Sequence, residues 1–440
     1  MMEECIILLQ HPFRSLILIY ITSITLASVF LKLPFASVSP HSWSEVIFTA
    51  VSSVTLIGFT VIPIEQSFTL FGEIIILLLI QLGGYLLIFF STLLLIEFGR
   101  NQHVEKIFYY PLSQEGLTKE LFVQLSKKII SFMLLVESIG VFVLTFKWAN
   151  RYGFFEGLYY AIFHTVSAFN NAGISLWSNG LSHYRGDPMI NLSITLLFVT
   201  GGLGYLVWMD ILKKRRFFTL TLHSKIMLIG TIVLNVGGTF ALFMIEKNKA
   251  FVNMDTGEAL WASYFQTLTT RSAGFTTISV SELSLFSLFL MMLLMLIGAG
   301  SGSTGSGLKL TSVAVILFSI YSYLRKRKIP VLDRKELVKD GILKAMVLTI
   351  SSLLFILMLM FFFLIRFDIS FFNAAFEAFS LTSMAGISLG VISNVALPIE
   401  QLMISLFMLL ARLGPLYIGY TWLYKRDDTK YEDTASVFVG

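Results

Sequence analysis

One short motif, repeated four times, limits the possible folds of this chain more than any other feature. Each copy follows a helix-length stretch, bends at a glycine and leads into a long apolar run; the bends are residues 55–59, 170–174, 271–275 and 383–387. Their glycines lie 115, 101 and 112 residues apart. Glycine allows backbone conformations and close approaches that are closed to other residues. The spacing therefore predicts one unit built four times, with the four bends meeting at a shared axis.

Composition places the chain in a membrane. Hydrophobic residues make up 56% of it and charged residues 13%, whereas soluble domains carry roughly 25% charged residues. Apolar runs near the length of about 20 residues that spans a bilayer occur at 16–31, 74–96, 129–146, 190–209 and 346–365. The prediction is an all-α polytopic membrane protein whose surroundings are the lipid bilayer.

The distribution of basic residues predicts the topology and excludes a nucleic-acid partner. The net charge of +5 is spread over connections between apolar runs instead of being gathered on one soluble face. Basic clusters lie at 100–128, 213–225, 325–344 and 425–430, and few basic residues flank the bends. Because basic loops stay in the cytoplasm, we expect both termini to be cytoplasmic and all four bends to face outside.

Each unit is predicted to contain an outer helix, a short pore helix, the bend and an inner helix. Pore helices are expected at 42–54, 153–168, 257–269 and 369–382, and inner helices at 68–97, 188–212, 282–321 and 397–424. The predicted divisions are repeat 1 (1–98), a cytoplasmic linker (99–124), repeat 2 (125–212), repeat 3 (213–324) with a gate loop at 298–307, a second cytoplasmic linker (325–339), and repeat 4 with a C-terminal tail (340–440). Irregular backbone at membrane depth is tolerated only where it is buried or lines an aqueous cavity. Four bends on one side therefore fit a single pseudo-fourfold pore.

Rings of backbone carbonyls around such an axis would replace the hydration shell of K⁺. We therefore predict K⁺ as the transported ion, with Na⁺ as an open alternative and no organic cofactor. The chain has one cysteine, Cys5, and six scattered histidines, which argues against a cysteine metal site and an intramembrane enzyme. The candidate filter residues are Thr55, Leu56, Ile57, Gly58, Asn170, Asn171, Ala172, Gly173, Arg271, Ser272, Ala273, Gly274, Ser383, Met384, Ala385 and Gly386.

Four fragments carry a resemblance to a known family. They are TVSAFNNAG at 165–173, QTLTTRSAGF at 266–275, GSTGSGLK at 302–309 and ARLGPL at 411–416. The chain resembles the Trk/Ktr/HKT superfamily of potassium transporters, and most closely the bacterial Ktr membrane subunit. The resemblance implies K⁺ uptake across a bacterial plasma membrane, a homodimer, and a cytoplasmic nucleotide-binding ring as regulatory partner. All four glycines are present, whereas Na⁺-permeable plant relatives carry Ser in place of the first.

The third inner helix is interrupted by small residues, which separate the apolar runs 283–297 and 308–321. Gly costs about 1 kcal/mol in a helix interior, so this stretch is expected to unwind below the filter. The resemblance implies an intramembrane gate here; the alternative is close helix packing through small residues. Residues 300–305 match GxGxxG but lack the strand and the acidic residue of a nucleotide site. The candidate gate residues are Gly298, Gly300, Gly302, Gly305, Gly307, Lys309 and Arg412.

Three basic residues fall close to the predicted pore. Intramembrane charges cost on the order of 3 kcal/mol and usually face a pathway. We expect Arg412 to repel K⁺ or to hold the gate loop by donating to its carbonyls; the alternative is a packing arginine paired with a carboxylate. Lys309 is either a gate residue or a side chain that extends toward the cytoplasm. Arg271 is interpreted as an anchor of the filter loops or as part of the outer vestibule.

A secondary transporter with a broken-helix binding site is the competing function. Such transporters are often built from inverted repeats, whereas the four bends here share one orientation relative to the basic clusters. The sequence therefore favours a channel-like pore over a rocking transporter.

Overall fold

The computed structural model describes residues 12–98, 119–300, 303–305, 307–326, 331–332, 335–336 and 339–414. Several sequence predictions lie outside these residues. They are the placement of Gly302 in the gate loop, of both termini, of the C-terminal tail after 414, and of most of the linker at 99–124.

The described residues are almost entirely helical. The helices are α1 (Pro12–Leu31), α2 (Trp43–Thr55), α3 (Ile64–Ser67), α4 (Leu70–Phe98), α5 (Lys119–Tyr152), α6 (Phe154–Phe169), α7 (Pro188–Leu203), α8 (Tyr205–Lys214), α9 (Leu222–Glu246), α10 (Thr256–Thr269), α11 (Leu285–Leu296), α12 (Leu310–Leu324), α13 (Lys339–Arg366), α14 (Phe371–Ser383) and α15 (Pro398–Leu413). Short 3₁₀ turns occur at Ser182–Tyr184, Phe217–Thr219, Val280–Glu282 and Ile392–Asn394. The one departure from an all-α fold is an antiparallel pair of two-residue strands, β1 (Val331–Leu332) and β2 (Lys335–Glu336), inside the linker predicted at 325–339.

The helices α2, α6, α10 and α14 each end at one of the four bends. Their observed ends lie within two residues of those predicted for the pore helices. Local sequence explains three of the starts, because the side chains of Ser42, Asp255 and Ser370 accept hydrogen bonds from the first-turn N–H groups. Glu45 completes a capping box with Ser42.

Contacts between units follow one cyclic order. In each unit an outer helix packs on its own pore helix, in the pairs α1–α2, α5–α6, α9–α10 and α13–α14. Each inner helix also packs on the pore helix of the next unit, in the pairs α4–α6, α7–α10, α11–α14 and α15–α2. The last pair returns to the first unit, so the four pore helices are enclosed by a closed circle of helix contacts.

Two inner helices are broken. The helix predicted to run without interruption over 188–212 ends at Leu203, and α8 leaves Gly204 at 93° to α7. This part of the prediction is wrong: Gly204 has φ +94°, a conformation that right-handed helix cannot contain. The second break separates α11 from α12, between Leu296 and Leu310.

Four of the described helices are long and apolar enough to cross a membrane, at Leu70–Phe89, Val123–Tyr152, Leu222–Glu246 and Gly341–Arg366. The bent pair α7–α8 passes the same test as a unit. Large apolar side chains on these helices point outward: Phe142 is 76% exposed, Phe240 63% and Ile365 84%. Such faces fit contact with lipid tails, since a soluble surface rarely carries so many together.

Polar contacts tie the outer helix to the inner helix in three units, next to the loops that enter the pore helices. Lys147 pairs with Asp187 at 2.7 Å in unit 2, and Arg366 pairs with Glu400 at 2.7 Å in unit 4. In unit 3 the buried Glu246 carboxylate accepts from the backbone N–H of Ser284 at 2.9 Å and from two serine hydroxyls. These contacts hold the outer and inner helices of the three units together at this end.

The pore-helix packing can be tested at two glycines that differ only in their surroundings. A Cβ on Gly157 of α6 would lie 2.6 Å from the backbone nitrogen of Ala149, whereas one on Gly237 of α9 would meet nothing within 4 Å. We expect Gly157→Ala to lower the free energy of unfolding by about 1–3 kcal/mol through overpacking. Gly237→Ala should raise it by about 0.5–1 kcal/mol, because alanine favours helix. Thermal unfolding of the purified variants in detergent measures both, and an unchanged melting temperature for Gly157→Ala would contradict this packing.

Candidate functional site

The four bends share one backbone conformation. In each, the glycine and the residue two positions before it both have positive φ. The angles are +60° and +91° at Leu56 and Gly58, +57° and +66° at Asn171 and Gly173, +71° and +80° at Ser272 and Gly274, and +55° and +67° at Met384 and Gly386. A non-glycine residue held in this region costs of order 1–3 kcal/mol and tends to mark functional sites. Four such pairs at equivalent positions show that the surrounding packing imposes the bend.

The bends touch one another in a ring. A Cβ on Gly58 would lie 2.3 Å from the Ala172 carbonyl oxygen, and one on Gly173 would lie 2.7 Å from that of Ala273. A Cβ on Gly274 would lie 3.0 Å from the Ala385 carbonyl oxygen, and one on Gly386 would lie 1.9 Å from that of Ile57. Each of these oxygens belongs to the residue just before the glycine of the next unit. The order closes on itself, so four carbonyl oxygens lie next to four glycines at the centre of the helix circle.

Hydrogen bonds hold each bend to its own pore helix. The N–H groups of Ile57, Ala172 and Ala385 donate to helix carbonyls at 3.2, 2.8 and 2.9 Å. The Ser272 hydroxyl of the third bend also donates to the Ser383 carbonyl of the fourth bend at 2.5 Å. The N–H groups are thus used within the unit, which leaves the carbonyls of the same residues facing their neighbours.

The electrostatics of this ring favour a cation. All four pore helices direct their C-terminal ends at the bends, and a helix C-terminus carries a partial negative charge of roughly half an elementary charge. Among the described residues, no group of three His, Cys, Asp or Glu side chains is placed to hold a metal ion. Backbone dipoles are therefore the groups available to a cation at the ring.

A cavity of about 310 Å³ opens beside the bends. Its lining includes Gly58 and Gly173 together with polar residues from the loops that follow the bends, among them Thr60, Ser175 and Thr276. The cavity therefore reaches the ring from the side on which the loops after the bends lie.

The segment 297–309 lies against the bends. A Cβ on Gly305 would lie 3.2 Å from the Asn171 amide and 3.4 Å from the Ser272 Cβ, and one on Gly307 would lie 3.5 Å from the Ser383 Cα. The segment therefore contacts three of the four bends. A parallel bridge between Ile297 and Leu308 closes its base, with the Gly298 N–H donating to the Leu308 carbonyl at 2.9 Å.

The broken end of α7 holds this segment in place. Because α7 stops at Leu203, the carbonyls of Gly201 and Gly202 have no helical partner. They accept from the N–H groups of Thr304 at 3.2 Å and Gly300 at 2.8 Å. The Thr304 hydroxyl also donates to the carbonyl of Phe169, the last residue of α6, at 3.2 Å. The segment 297–309 thus acts as the C-terminal cap of α7 and contacts the end of a pore helix.

Two of the three basic residues singled out in the sequence donate to carbonyls of the segment 297–309: Arg271 from outside the segment and Lys309 as its last residue. Arg271 points inward, and its Nη2 donates to the Gly298 carbonyl at 3.2 Å while Nη1 contacts the Asn235 amide oxygen at 3.4 Å. Lys309 donates to the Gly305 carbonyl at 2.9 Å. The Arg271 contacts run to the segment 297–309 and to α9, and its two interpretations, as an anchor of the filter loops or as part of the outer vestibule, stay predictions.

Arg412 makes a different contact from the one expected. It is 7% exposed, and its Nη1 lies 3.3 Å from the sulfur of Met384 in the fourth bend. Within the described part of the chain, its Nε and Nη2 have no hydrogen-bond partner and no carboxylate pairs with it. The Gly298 and Gly305 carbonyls accept from Arg271 and Lys309, and the role of Arg412 in repelling K⁺ or holding the loop stays a prediction.

Sequence reasoning missed Gly201, Gly202 and Asn235, which bind the loop or its anchor. The glycines had a visible signal, since Gly-Gly-Leu-Gly at 201–204 is unusual inside an apolar helix. Asn235 had none, because its partner lies on a distant part of the chain.

Comparison with known proteins gives consistent matches. The family model for TrkH, described as a cation transport protein, matches residues 9–418. The chain is 35% identical to Ktr system potassium uptake protein B of Bacillus subtilis, over 96% of this chain and 95% of the relative. It is 33% identical to the protein of the same name from Vibrio alginolyticus, over 92% and 90%. The crystal structure of the potassium transporter TrkH from Vibrio parahaemolyticus has the same fold, with a TM-score of 0.73 at 16% identity, covering 94% of this chain and 85% of that one.

The ring geometry predicts the effect of a side chain at the first bend. In Gly58→Ser the new Cβ would be forced against the Ala172 carbonyl, so that oxygen must move. We expect the preference for K⁺ over Na⁺ to fall by about tenfold, since a displaced carbonyl weakens ion coordination. Competition of each ion against ⁸⁶Rb⁺ uptake in proteoliposomes measures the preference.

A matched control is Gly390→Ala. Gly390 also has positive φ, at +97°, but a Cβ there would meet only the Asn394 side chain at 3.5 Å. This variant carries similar backbone strain without touching the ring, and its selectivity should equal that of the wild type. Equal selectivity in Gly58→Ser as well would show that the ring does not select ions.

Proposed function

The chain belongs to the TrkH family of cation transport proteins, and from that membership we propose that it takes up K⁺ through a channel-like pore whose filter is the ring of four bends. The support comes from one observation above the others. Four backbone carbonyl oxygens, of Ile57, Ala172, Ala273 and Ala385, lie in cyclic order beside the four glycines. Carbonyl rings of this kind substitute for the hydration shell of K⁺. K⁺ is the transported ion, and the pore carries out no chemical reaction.

We propose further that the segment 297–309 is the gate. It contacts the second, third and fourth bends from below and is held by hydrogen bonds to α7 and by two cationic side chains, Arg271 and Lys309. Arg412 adds a buried positive charge next to Met384. In the closed state the segment blocks the path, and the positive charges oppose the entry of a cation.

The remaining parts of the proposal concern the assembly. The protein resides in the bacterial plasma membrane with both termini in the cytoplasm, because the sequence gathers basic residues in the connections away from the bends and basic connections stay in the cytoplasm. It works as a homodimer, regulated by a cytoplasmic nucleotide-binding ring that docks on the basic face. We assign Arg215, Arg216 and Phe218, which follow α8 and are exposed, to that face.

A broken-helix secondary transporter is the second candidate, since α7–α8 and α11–α12 are both interrupted. In such transporters the half-helix ends form the binding site at midplane. Here the Gly201 and Gly202 carbonyls at the end of α7 already accept hydrogen bonds from N–H groups of the segment 297–309. The cyclic order of the helix contacts also favours a pore over inverted repeats. A Trk-type or Na⁺-permeable relative is a further alternative, and only the ratio of K⁺ to Na⁺ flux distinguishes it from the proposed K⁺ pore.

The direct test is ion flux through the purified protein in liposomes. A K⁺ gradient should drive ⁸⁶Rb⁺ accumulation that K⁺ inhibits and Na⁺ does not. Accumulation that needs a Na⁺ or proton gradient would favour the secondary transporter, and equal inhibition by Na⁺ would favour the Na⁺-permeable relative. Adding the candidate ring subunit with and without nucleotide tests the regulatory partner.

Removing the Arg271 tie should open the gate. Arg271→Gln loses the hydrogen bond to the Gly298 carbonyl, and a hydrogen bond to a charged group contributes about 1.5–3 kcal/mol. The closed state should then lose about tenfold in population relative to the open state, so basal flux rises. Arg185→Gln removes an arginine that pairs with Glu258 outside the ring and serves as the control. Lower flux from a folded Arg271→Gln protein would contradict the role of this contact.

Arg412 tests the electrostatic part of the gate. Arg412→Ala removes a buried cationic side chain next to Met384, so it should raise K⁺ flux measurably above wild type. Arg412→Lys keeps the charge but loses the contact with Met384, and its flux should lie between the two. Flux below wild type in the alanine variant, with the protein still folded, would refute a barrier at this position.

A further inference from the structure

A buried carboxylate lies behind the second bend, in the middle of a membrane helix. Glu137 is at the centre of α5 and only 5% exposed. Among the described residues no basic side chain pairs with it; its partners are two amides. A charge at this depth is costly and is by default a candidate for function.

The carboxylate belongs to a three-residue network that ends on the bend. Glu137 Oε2 accepts from Gln81 Nε2 of α4 at 3.2 Å, and Glu137 Oε1 accepts from Asn170 Nδ2 at 3.2 Å. Asn170 Nδ2 also reaches the Gln81 amide oxygen at 3.2 Å and the Val166 carbonyl at 2.9 Å. Both Glu137 oxygens accept in these contacts, so the side-chain nitrogens of Gln81 and Asn170 both face the carboxyl group.

Packing holds the other side of the Asn170 amide. Asn170 is fully buried, and its Oδ1 makes no hydrogen bond within the described part of the chain. This oxygen lies against the backbone of α4, where a Cβ on Gly84 would fall 1.6 Å from it. The glycine leaves room for the amide, so both faces of the Asn170 side chain are constrained.

Asn170 occupies the position three residues before the bend glycine, and the other units fill that position differently. Thr55 and Ser383 donate to carbonyls of their own pore helices, and Arg271 reaches the Gly298 carbonyl. Only the second bend is held at this position by a carboxylate from another helix. Two residues further along is Ala172, whose carbonyl faces Gly58 in the ring.

We propose that Glu137, acting through Gln81 and Asn170, is a positioning residue for the Ala172 carbonyl and so for the preference of the pore for K⁺ over Na⁺. The proposal rests on the filter function proposed above. Glu137 itself does not touch the ion. It holds one quarter of the ring at the radius that fits K⁺, and without it the second bend can move toward the smaller ion.

The test compares ion preference in four variants, reconstituted in liposomes and assayed by competition of K⁺ and Na⁺ against ⁸⁶Rb⁺. Glu137→Gln replaces an acceptor by a donor, and Gly84→Ala pushes the Asn170 amide while leaving Glu137 intact. Both should lower the K⁺ preference by about tenfold, the effect expected from the loss of one charged hydrogen bond. Glu137→Asp keeps the charge and should retain more of the preference than Glu137→Gln. Glu246→Gln changes a buried carboxylate that binds only serines and backbone away from the bends, so its preference should match the wild type.

A double-mutant cycle separates positioning from simple loss of stability. If Glu137 acts through Asn170, then Glu137→Gln should have no further effect on ion preference in an Asn170→Ala background. A lower melting temperature without a change in preference is the result expected of a purely structural carboxylate, and it would overturn the proposal. So would an additive effect in the double mutant. Should Glu137→Gln fail to fold, Glu137→Asp in the wild-type and Asn170→Ala backgrounds supplies the same cycle, because the shorter carboxylate cannot keep both amide contacts.

The outcomes also distinguish this inference from the proposed function. A wild-type protein without K⁺ preference would overturn the filter itself. A selective wild type with an equally selective Glu137→Gln variant would overturn only the role of Glu137.

Discussion

The close approach of four backbones at the bends is the constraint on which the rest of the structure depends. Carbonyl oxygens lie so near the glycines that a single methyl group would collide with them, at 1.9 Å in the tightest case. Such contacts survive only if every helix behind them is fixed. The cyclic packing of each inner helix on the next pore helix supplies that rigidity, and the polar ties at the outer helix ends reinforce it. The strained backbone of Leu56 and Met384 is the local cost of this arrangement.

The electrostatic design changes sign across a short distance. At the ring, helix C-termini and carbonyls create a negative potential that suits a partly dehydrated cation. Next to the ring, the cationic side chains of Arg271 and Lys309 donate hydrogen bonds to carbonyls of the segment 297–309. If the ring is the filter, as proposed, a cation leaving it toward this segment would meet the Gly298 and Gly305 carbonyls already hydrogen-bonded to cationic side chains. Under the proposed gating, these two carbonyls would become available to the ion only when Arg271 and Lys309 withdraw.

Most of the fold could be predicted from the sequence, but less of the candidate site could. The bend glycines and the ends of the pore helices could be predicted because capping residues such as Ser42 and Asp255, and glycines such as Gly58, act locally. The 93° break at Gly204 was not predicted, although Gly201, Gly202 and Gly204 itself indicate it, because the apolar run at 190–209 is typical of an uninterrupted membrane helix. Contacts between distant helices could not be read at all. Nothing in the chain near Glu137 signals Asn170, and nothing near Arg271 signals Asn235, since these pairs exist only once the units are packed in order.

The geometry also explains why a filter and a gate so close together would be coupled. The segment 297–309 caps α7, touches the end of α6 through Thr304, and continues α11, which packs on α14. It therefore bonds to or packs near three of the four units. Moving it would free the carbonyls of Gly201 and Gly202, and an unpaired buried backbone group costs about 1–3 kcal/mol. Water entering the opened path would satisfy those carbonyls, so opening and hydration of the path must occur together.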